Sequence, residues 1–328
     1  MRPLNRRRFI AISAAAAGCS LMPFGAQTAQ PMQTVAWRGR ALGATASLVI
    51  HHHDRPAGER LLRQVVSELE RLEQIFSLYR PNSTLSQLNR QGALAAPPPE
   101  LVAALVASRE VWEATDGAFD PTVQPLWTAL ADHFSRPGAD QAGPAPARIR
   151  EALSLVGFER VMFDRDRIAF GERGMALTLN GIAQGFITDR AVDVLRRGGV
   201  EKSLVDMGEI RALGTRADGS PWRVGIGDVN DAELDSVLEI ADRAVATSSA
   251  DGFRFDELGR FSHLLDPRSG RGNSTYRSVT VIAPNATSAD AFSTAFSLMP
   301  PERIRRALDG QPAVQVDIVS ESGHRIAL

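Results

Sequence analysis

The chain reads as an α+β protein, with mixed or antiparallel sheets and packed helices. Three observations lead there. Helical and strand-like stretches are interspersed without the regular βαβ alternation of a doubly wound fold. In the second half, strand-like runs follow one another across short Asp, Arg and Gly turns, as hairpins do. No Gly-x-Gly-x-x-Gly stands between a strand and a helix, which removes a Rossmann unit.

Residues 45–51 form the first expected strand. Over 57–76, Leu62, Val65, Val66, Leu69, Leu72, Ile75 and Phe76 recur at helical spacing and predict a long amphipathic helix. Ser83 or Thr84 caps a short helix over 83–89. A break at 96–99 precedes a second long helix, 101–114, which Asp116-Gly117 ends. Residues 135–147, rich in Pro, Gly and Ala, read as an exposed loop, and 149–156 as helical. Strands are expected over 161–163, 168–170 and 175–179. The helix 183–197 stops at Gly198-Gly199. Further strands follow at 203–206, 210–214, 222–226, 237–240, 244–246 and 279–283. Helices over 288–298 and 301–308 and two strand-like segments close the chain. There are no internal repeats.

Residues 1–29 have the layout of an export leader, with 30–328 as one domain. The start is basic (Arg2, Arg6, Arg7, Arg8), an apolar Ala-rich stretch follows, and then small residues. The apolar run is too short to span a bilayer. Asn5-Arg6-Arg7-Arg8-Phe9-Ile10 fits the twin-arginine pattern, so a periplasmic protein is expected. Cys19 is the only cysteine, which excludes an intrachain disulfide. It stands in Ala16-Ala17-Gly18-Cys19, a candidate lipid-anchor site that lacks the usual branched residue three before the cysteine. Removing the leader's four arginines takes the formal charge from −1 to about −5. No basic run remains beyond the leader, which argues against nucleic acid. No later apolar stretch approaches ~20 residues, so no membrane-spanning helix is expected.

Three polar, Gly-rich segments stand out. The first is Thr115-Asp116-Gly117-Ala118-Phe119-Asp120-Pro121-Thr122. The second, Leu179-Asn180-Gly181-Ile182-Ala183-Gln184-Gly185-Phe186, runs from a strand into a helix. Such a turn suits a phosphate, or turns a carbonyl to a cation, though many carry Gly for packing alone. The third is His263-Leu264-Leu265-Asp266-Pro267-Arg268-Ser269-Gly270, followed by Ser288-Ala289-Asp290-Ala291-Phe292-Ser293-Thr294-Ala295. Asp290 and Thr294, four apart, share a helical face and offer two hard oxygen donors suited to Mg²⁺. Their plainer reading is a first-turn carboxylate and a threonine bonded back to a carbonyl. His263 reads as a general base or as a strand-end histidine. His51-His52-His53 alternates across a strand and chelates poorly, so it reads as a solvated hairpin end.

In order and spacing, these segments resemble the ApbE family of periplasmic FAD:protein FMN transferases. The resemblance also takes in Ala41-Leu42-Gly43-Ala44-Thr45, Phe76-Ser77-Leu78-Tyr79-Arg80-Pro81-Asn82-Ser83, Leu85-Ser86-Gln87-Leu88-Asn89 and Ala246-Thr247-Ser248. It implies an ApbE-like flavin transferase fold. It also implies that Asp290 and Thr294 bind Mg²⁺ with the Gly181 carbonyl and Ser293. Leu42, Tyr79, Ala118, Phe119, Asp120, Thr178, Gln184 and Leu264 would line the FAD site, with His263 as the base. Departures from the family pattern are Leu42 for Met, Thr178 for Asp, Asn180 for Gly and Gln184 for Lys. Asp206-Met207-Gly208-Glu209 also replaces a frequent Gly-Gly pair. This set resembles the NosX-like branch associated with nitrous oxide reductase maturation.

The implied reaction transfers FMN from FAD to a Thr or Ser of an exported or membrane-bound electron-transfer protein, forming a phosphoester and releasing AMP. Two rivals remain. One is an FAD pyrophosphatase with water as acceptor. The other is a non-catalytic FAD-binding assembly factor, against which the Asp290/Thr294 pair argues.

Overall fold

The structure, a computed structural model, describes residues 32–226, 236–272 and 276–328. The leader, Cys19 and the cleavage position lie outside the described residues. In chain order come β1 (Gln33–Ala41), β2 (Ala44–His52), α1 (Arg55–Phe76), α2 (Thr84–Gln91), β3 (Ala93–Ala95), α3 (Pro99–Ala114), α4 (Gln124–Phe134) and α5 (Pro146–Ser154). Next are β4 (Val161–Phe163), β5 (Arg167–Phe170), α6 (Ala183–Arg197), β6 (Ser203–Asp206), β7 (Ile210–Leu213), β8 (Trp222–Ile226), β9 (Ser236–Ile240) and β10 (Ala244–Ser249). The chain ends with β11 (Ser278–Ala283), α7 (Ala286–Phe296), α8 (Pro301–Leu308), β12 (Gln315–Val319) and β13 (Arg325–Ala327).

The frame is an eight-stranded sheet in the order β1-β2-β6-β7-β10-β11-β12-β13, antiparallel at every pairing. The fold is α+β, as the hairpin-like succession of strands predicts. One face of the sheet carries α1, α6 and α7 over a core that includes Leu48, Leu72, Ile187, Val281 and Phe296. A smaller cluster on the other face, around Leu204, Ile210 and Val245, is covered by the β8–β9 hairpin through Trp222 and Val224. A third cluster joins α4 and α5 to Leu265, with Phe255 and Phe261 against it. Among the described residues, no helix is long and apolar enough to cross a membrane.

The expected helices all form, most with ends shifted by a residue or two. Ser83 caps α2, its side chain accepting from Ser86 N–H at 3.1 Å. The short strand β3 has no counterpart among the expected strands, and three further points differ. β1 has no counterpart either: its burial alternates from Val35 to Ala41, but on this edge strand the inward row includes Gly39 and only Val35 and Ala41 are fully buried, so the apolar signal is weak. α4 is absent because Pro125 looks like a breaker; it sits in the first turn, where proline costs nothing. Residues 175–179 are extended but join no sheet. The Asn89 side chain serves Leu177 as a neighbouring strand would, donating to its carbonyl and accepting from its N–H, both at 2.8 Å.

α6 and α7 cross closely at Gly185. A β-carbon there would lie 2.1 Å from the Ala286 carbonyl oxygen and 2.9 Å from Asp290 Cβ. Gly185→Ala is therefore expected to force the helices apart and lower stability by about 1–3 kcal/mol or more, read from urea unfolding.

Candidate active site

A cleft of about 440 Å³ opens at one end of the sheet. Its walls include Ala118, Phe119, Asp120, Thr178, Gly181, Gln184, His263, Leu264, Asp290 and Thr294. All three Gly-rich segments therefore meet in one space, although they are far apart in the chain. Leu42, Tyr79 and Ser293 do not line it. Leu42 sits in the β1–β2 turn at φ +46°, a backbone region that leucine rarely adopts. Its N–H donates to Glu73 Oε1 at 2.7 Å, and Glu73 Oε2 pairs with Arg80 at 2.5 Å. Glu73 thus ties the turn to the loop carrying Tyr79, which is 51 % exposed. Ser293 is fully buried just behind the wall, where its hydroxyl bonds the Oγ of Ser248, a cleft-lining residue, at 2.8 Å and the Asp290 carbonyl at 3.0 Å.

Hard oxygen donors gather where α6 begins against α7. Asp290 is buried, and its Oδ2 accepts from Gly185 N–H at 3.0 Å. Gly181 approaches Thr294 so closely that a β-carbon would lie 2.9 Å from Thr294 Oγ1. Only glycine allows this approach, and it brings the 181 backbone, the Thr294 hydroxyl and the Asp290 carboxylate to one wall. The positive end of the α6 dipole starts at the same wall and favours an anion there.

One node positions α7. Asp189, on α6, accepts from Ala286 N–H at 2.8 Å, Thr287 N–H at 2.9 Å and Thr287 Oγ1 at 2.5 Å. It also pairs with Arg211 of β7 at 2.5 Å, with both side chains largely buried. Asn285 accepts from Ser288 N–H at 2.7 Å, so the first three amides of α7 are all satisfied by side chains.

His263 Nδ1 lies 2.9 Å from the Phe253 carbonyl. A carbonyl only accepts, so Nδ1 carries the hydrogen and the neutral ring keeps its lone pair on Nε2. Phe253 and Trp127, whose ring centroids stand 6.4 Å apart in near-parallel planes, make an aromatic wall beside it.

Two cleft carboxylates differ sharply. Asp120 caps the turn after it: Oδ1 takes Thr122 N–H at 2.7 Å and Thr122 Oγ1 at 2.5 Å, and Oδ2 takes Phe158 N–H at 3.2 Å. Burial still pushes its carboxyl above the ordinary range, against those bonds. Asp206, at the end of β6, has one hydrogen-bond partner among the described residues, Gly208 N–H at 3.0 Å. It is set deep in the protein yet reached through the cleft, and burial pushes it up to about 6. Asp206 and Trp127 were not among the expected site residues. Asp206 had a signal, the Asp-Met-Gly-Glu turn, while Trp127 was lost with α4.

Two outcomes are expected. Asp189→Ala leaves Arg211 buried without its partner and should cost about 3–5 kcal/mol in urea unfolding. For Asp206, a carboxyl raised on folding makes stability fall as pH rises from about 4 to 6. Asp206→Asn should therefore match the parent near pH 3.5 and exceed it above pH 6 by up to about 3 kcal/mol, seen in melting curves at both pH values.

The ApbE family model matches residues 42–318. An FAD:protein FMN transferase of Vibrio cholerae is 28 % identical over 283 residues, covering 84 % of each chain. One of Treponema pallidum is 32 % identical over 270 residues, covering 74 % of this chain and 72 % of its own. Among solved structures, the ApbE protein of Thermotoga maritima superposes with a TM-score of 0.79 at 29 % identity, covering 90 % of this chain and 96 % of its own. The flavin transferase ApbE of Vibrio cholerae gives 0.76 at 25 % identity, with 90 % and 97 % covered. The family match spans most of the sequence and takes in all three segments that meet in the cleft, so this protein belongs to the ApbE family.

Proposed function

We propose that this protein is an FAD:protein FMN transferase acting in the periplasm on exported or membrane-bound electron-transfer proteins. The observation that carries the chemistry is the meeting of Gly181, Asp290 and Thr294 with His263 in one cleft. The names of the relatives support the same reaction, and the twin-arginine leader supports the compartment.

The donor set fits Mg²⁺. It consists only of oxygens: a buried carboxylate, a hydroxyl and the backbone at a glycine that a β-carbon would block. Asp290, Thr294 and the Gly181 carbonyl would hold the ion, which when bound neutralises charge on a diphosphate and aligns it.

In the transfer, the acceptor's Thr or Ser oxygen bonds to the FMN phosphorus. The bond from that phosphorus to the bridging oxygen breaks, and AMP leaves with that oxygen. The hydroxyl proton passes to His263 Nε2, the nitrogen left unprotonated by the Nδ1 contact with Phe253. The Trp127–Phe253 wall excludes water, the competing acceptor.

The test mixes the leader-free protein with FAD, Mg²⁺ and a candidate acceptor domain. In-gel flavin fluorescence after denaturation reports the covalent product. Asp290→Ala should lose at least about 100-fold in rate while its melting curve stays cooperative. Unchanged flavin attachment in that variant overturns the metal role. AMP formed equally fast without acceptor overturns the transferase reading in favour of hydrolysis.

A further inference from the structure

Asp206 is a cleft carboxylate that the proposed chemistry does not use, as are Asp120 and Glu209. Its position is built. Gly208, at φ +106°, turns the chain so that its N–H meets Asp206 Oδ1. That φ is one side chains rarely adopt, and with no β-carbon the turn lets the end of the Gln184 side chain pack against it. Across the sheet Asp206 is paired in register with Ser47, which also lines the cleft. Gln184, packed on this turn, immediately precedes Gly185, which holds Asp290. The wall carrying Asp206 therefore adjoins the oxygen donors through one side chain.

The chemistry of that wall is restrictive. An ionised carboxylate only accepts hydrogen bonds, and a phosphate placed against it would be repelled. A metal ion there would need further oxygen ligands around a carboxylate whose Oδ1 already takes the Gly208 N–H. A neutral donor remains. Asp120 shows how this fold satisfies a buried carboxylate, with three donors of its own; among the described residues Asp206 receives one. A ligand donor would complete it, and a group that weakens the empty fold is a mark of a binding site.

We propose that Asp206 accepts a hydrogen bond from a sugar hydroxyl of the flavin nucleotide, on the chain flanking its diphosphate. This rests on the reading of FAD as substrate. FAD bears such hydroxyls on both sides of the diphosphate, on the ribityl chain and on the adenosine ribose. Asp206 thereby selects a polyol-flanked diphosphate over one with a plain alkyl arm.

The test is equilibrium binding at pH 7.5 without Mg²⁺, so that no turnover intervenes. Parent, Asp206→Ala and Asp206→Asn proteins are titrated with three ligands: FAD, an FAD analogue with an unsubstituted alkyl chain in place of ribityl, and an analogue carrying 2′,3′-dideoxyadenosine. Asp206→Ala should weaken FAD binding about tenfold or more, and Asp206→Asn less, because its amide oxygen still accepts. One analogue should bind the parent as weakly as FAD binds Asp206→Ala, with no further loss in that variant. Which analogue behaves so distinguishes ribityl from ribose. Equal losses for all three ligands, or none for FAD, overturn the proposal while the functional reading stands. A parent protein that fails to bind FAD overturns the functional reading instead.

Discussion

A single carboxylate, Asp189, ties together α6, which begins at the cleft, α7, which carries its oxygen donors, and β7 of the sheet. It sits on α6, caps the first turn of α7 and pairs with Arg211 of β7. Asp290 and Thr294 ride on α7, so their direction towards Gly181 is set by how that helix starts. The close crossing at Gly185 allows no slack, because helix backbone lies where a side chain would go. A buried ion pair is weak evidence for stability, but one that also caps a helix fixes where the helix lies. Loosening it would move the oxygen donors before it unfolded the protein.

The same region contains groups that do the fold no good. Asp120 is well supplied with donors, whereas Asp206 is set at least as deep and, among the described residues, its carboxylate takes one, the Gly208 N–H. Leu42 holds a left-handed backbone at the lip of the hairpin, two residues before Ala44 enters the cleft wall. Such local costs are tolerated because the surrounding sheet and helices over-determine the backbone there. The antiparallel frame supplies the surplus: nine register pairs tie β1 to β2, and six tie β10 to β11.

How much of this was legible in the sequence follows from the physics of each signal. α1 and α6 were readable because each buries one stripe, and helical spacing records that directly. Asp290 and Thr294 were readable as neighbours on a helix face, and the resemblance to a known family gave them a partner in Gly181. The edge strand β1 left only a faint mark, an alternation of Val35, Trp37, Gly39 and Ala41 with exposed neighbours, weakened by the glycine in its inward row. Residues 175–179 alternate like a strand, and nothing local reveals that an asparagine 88 positions earlier takes the place of a neighbouring strand. Ser293 follows the same limit. Spacing alone puts it near Thr294, but α7 turns it towards β10. Long-range pairing such as Asp189 with Arg211 is likewise invisible until the fold brings the elements together.

The register of the sheet has a consequence for how the protein comes into being. β2, near the beginning, pairs with β6, from the second half of the chain, and the α7 donors come later still. During synthesis the early hairpin and α1 can form, but Gly181 and the start of α6 have no partner helix until residues 286–296 have emerged. A ribosome-bound or truncated chain therefore holds no working site, and transfer begins only once the fold is complete. The helix that carries the oxygen donors is thus among the last pieces of the chain to be made.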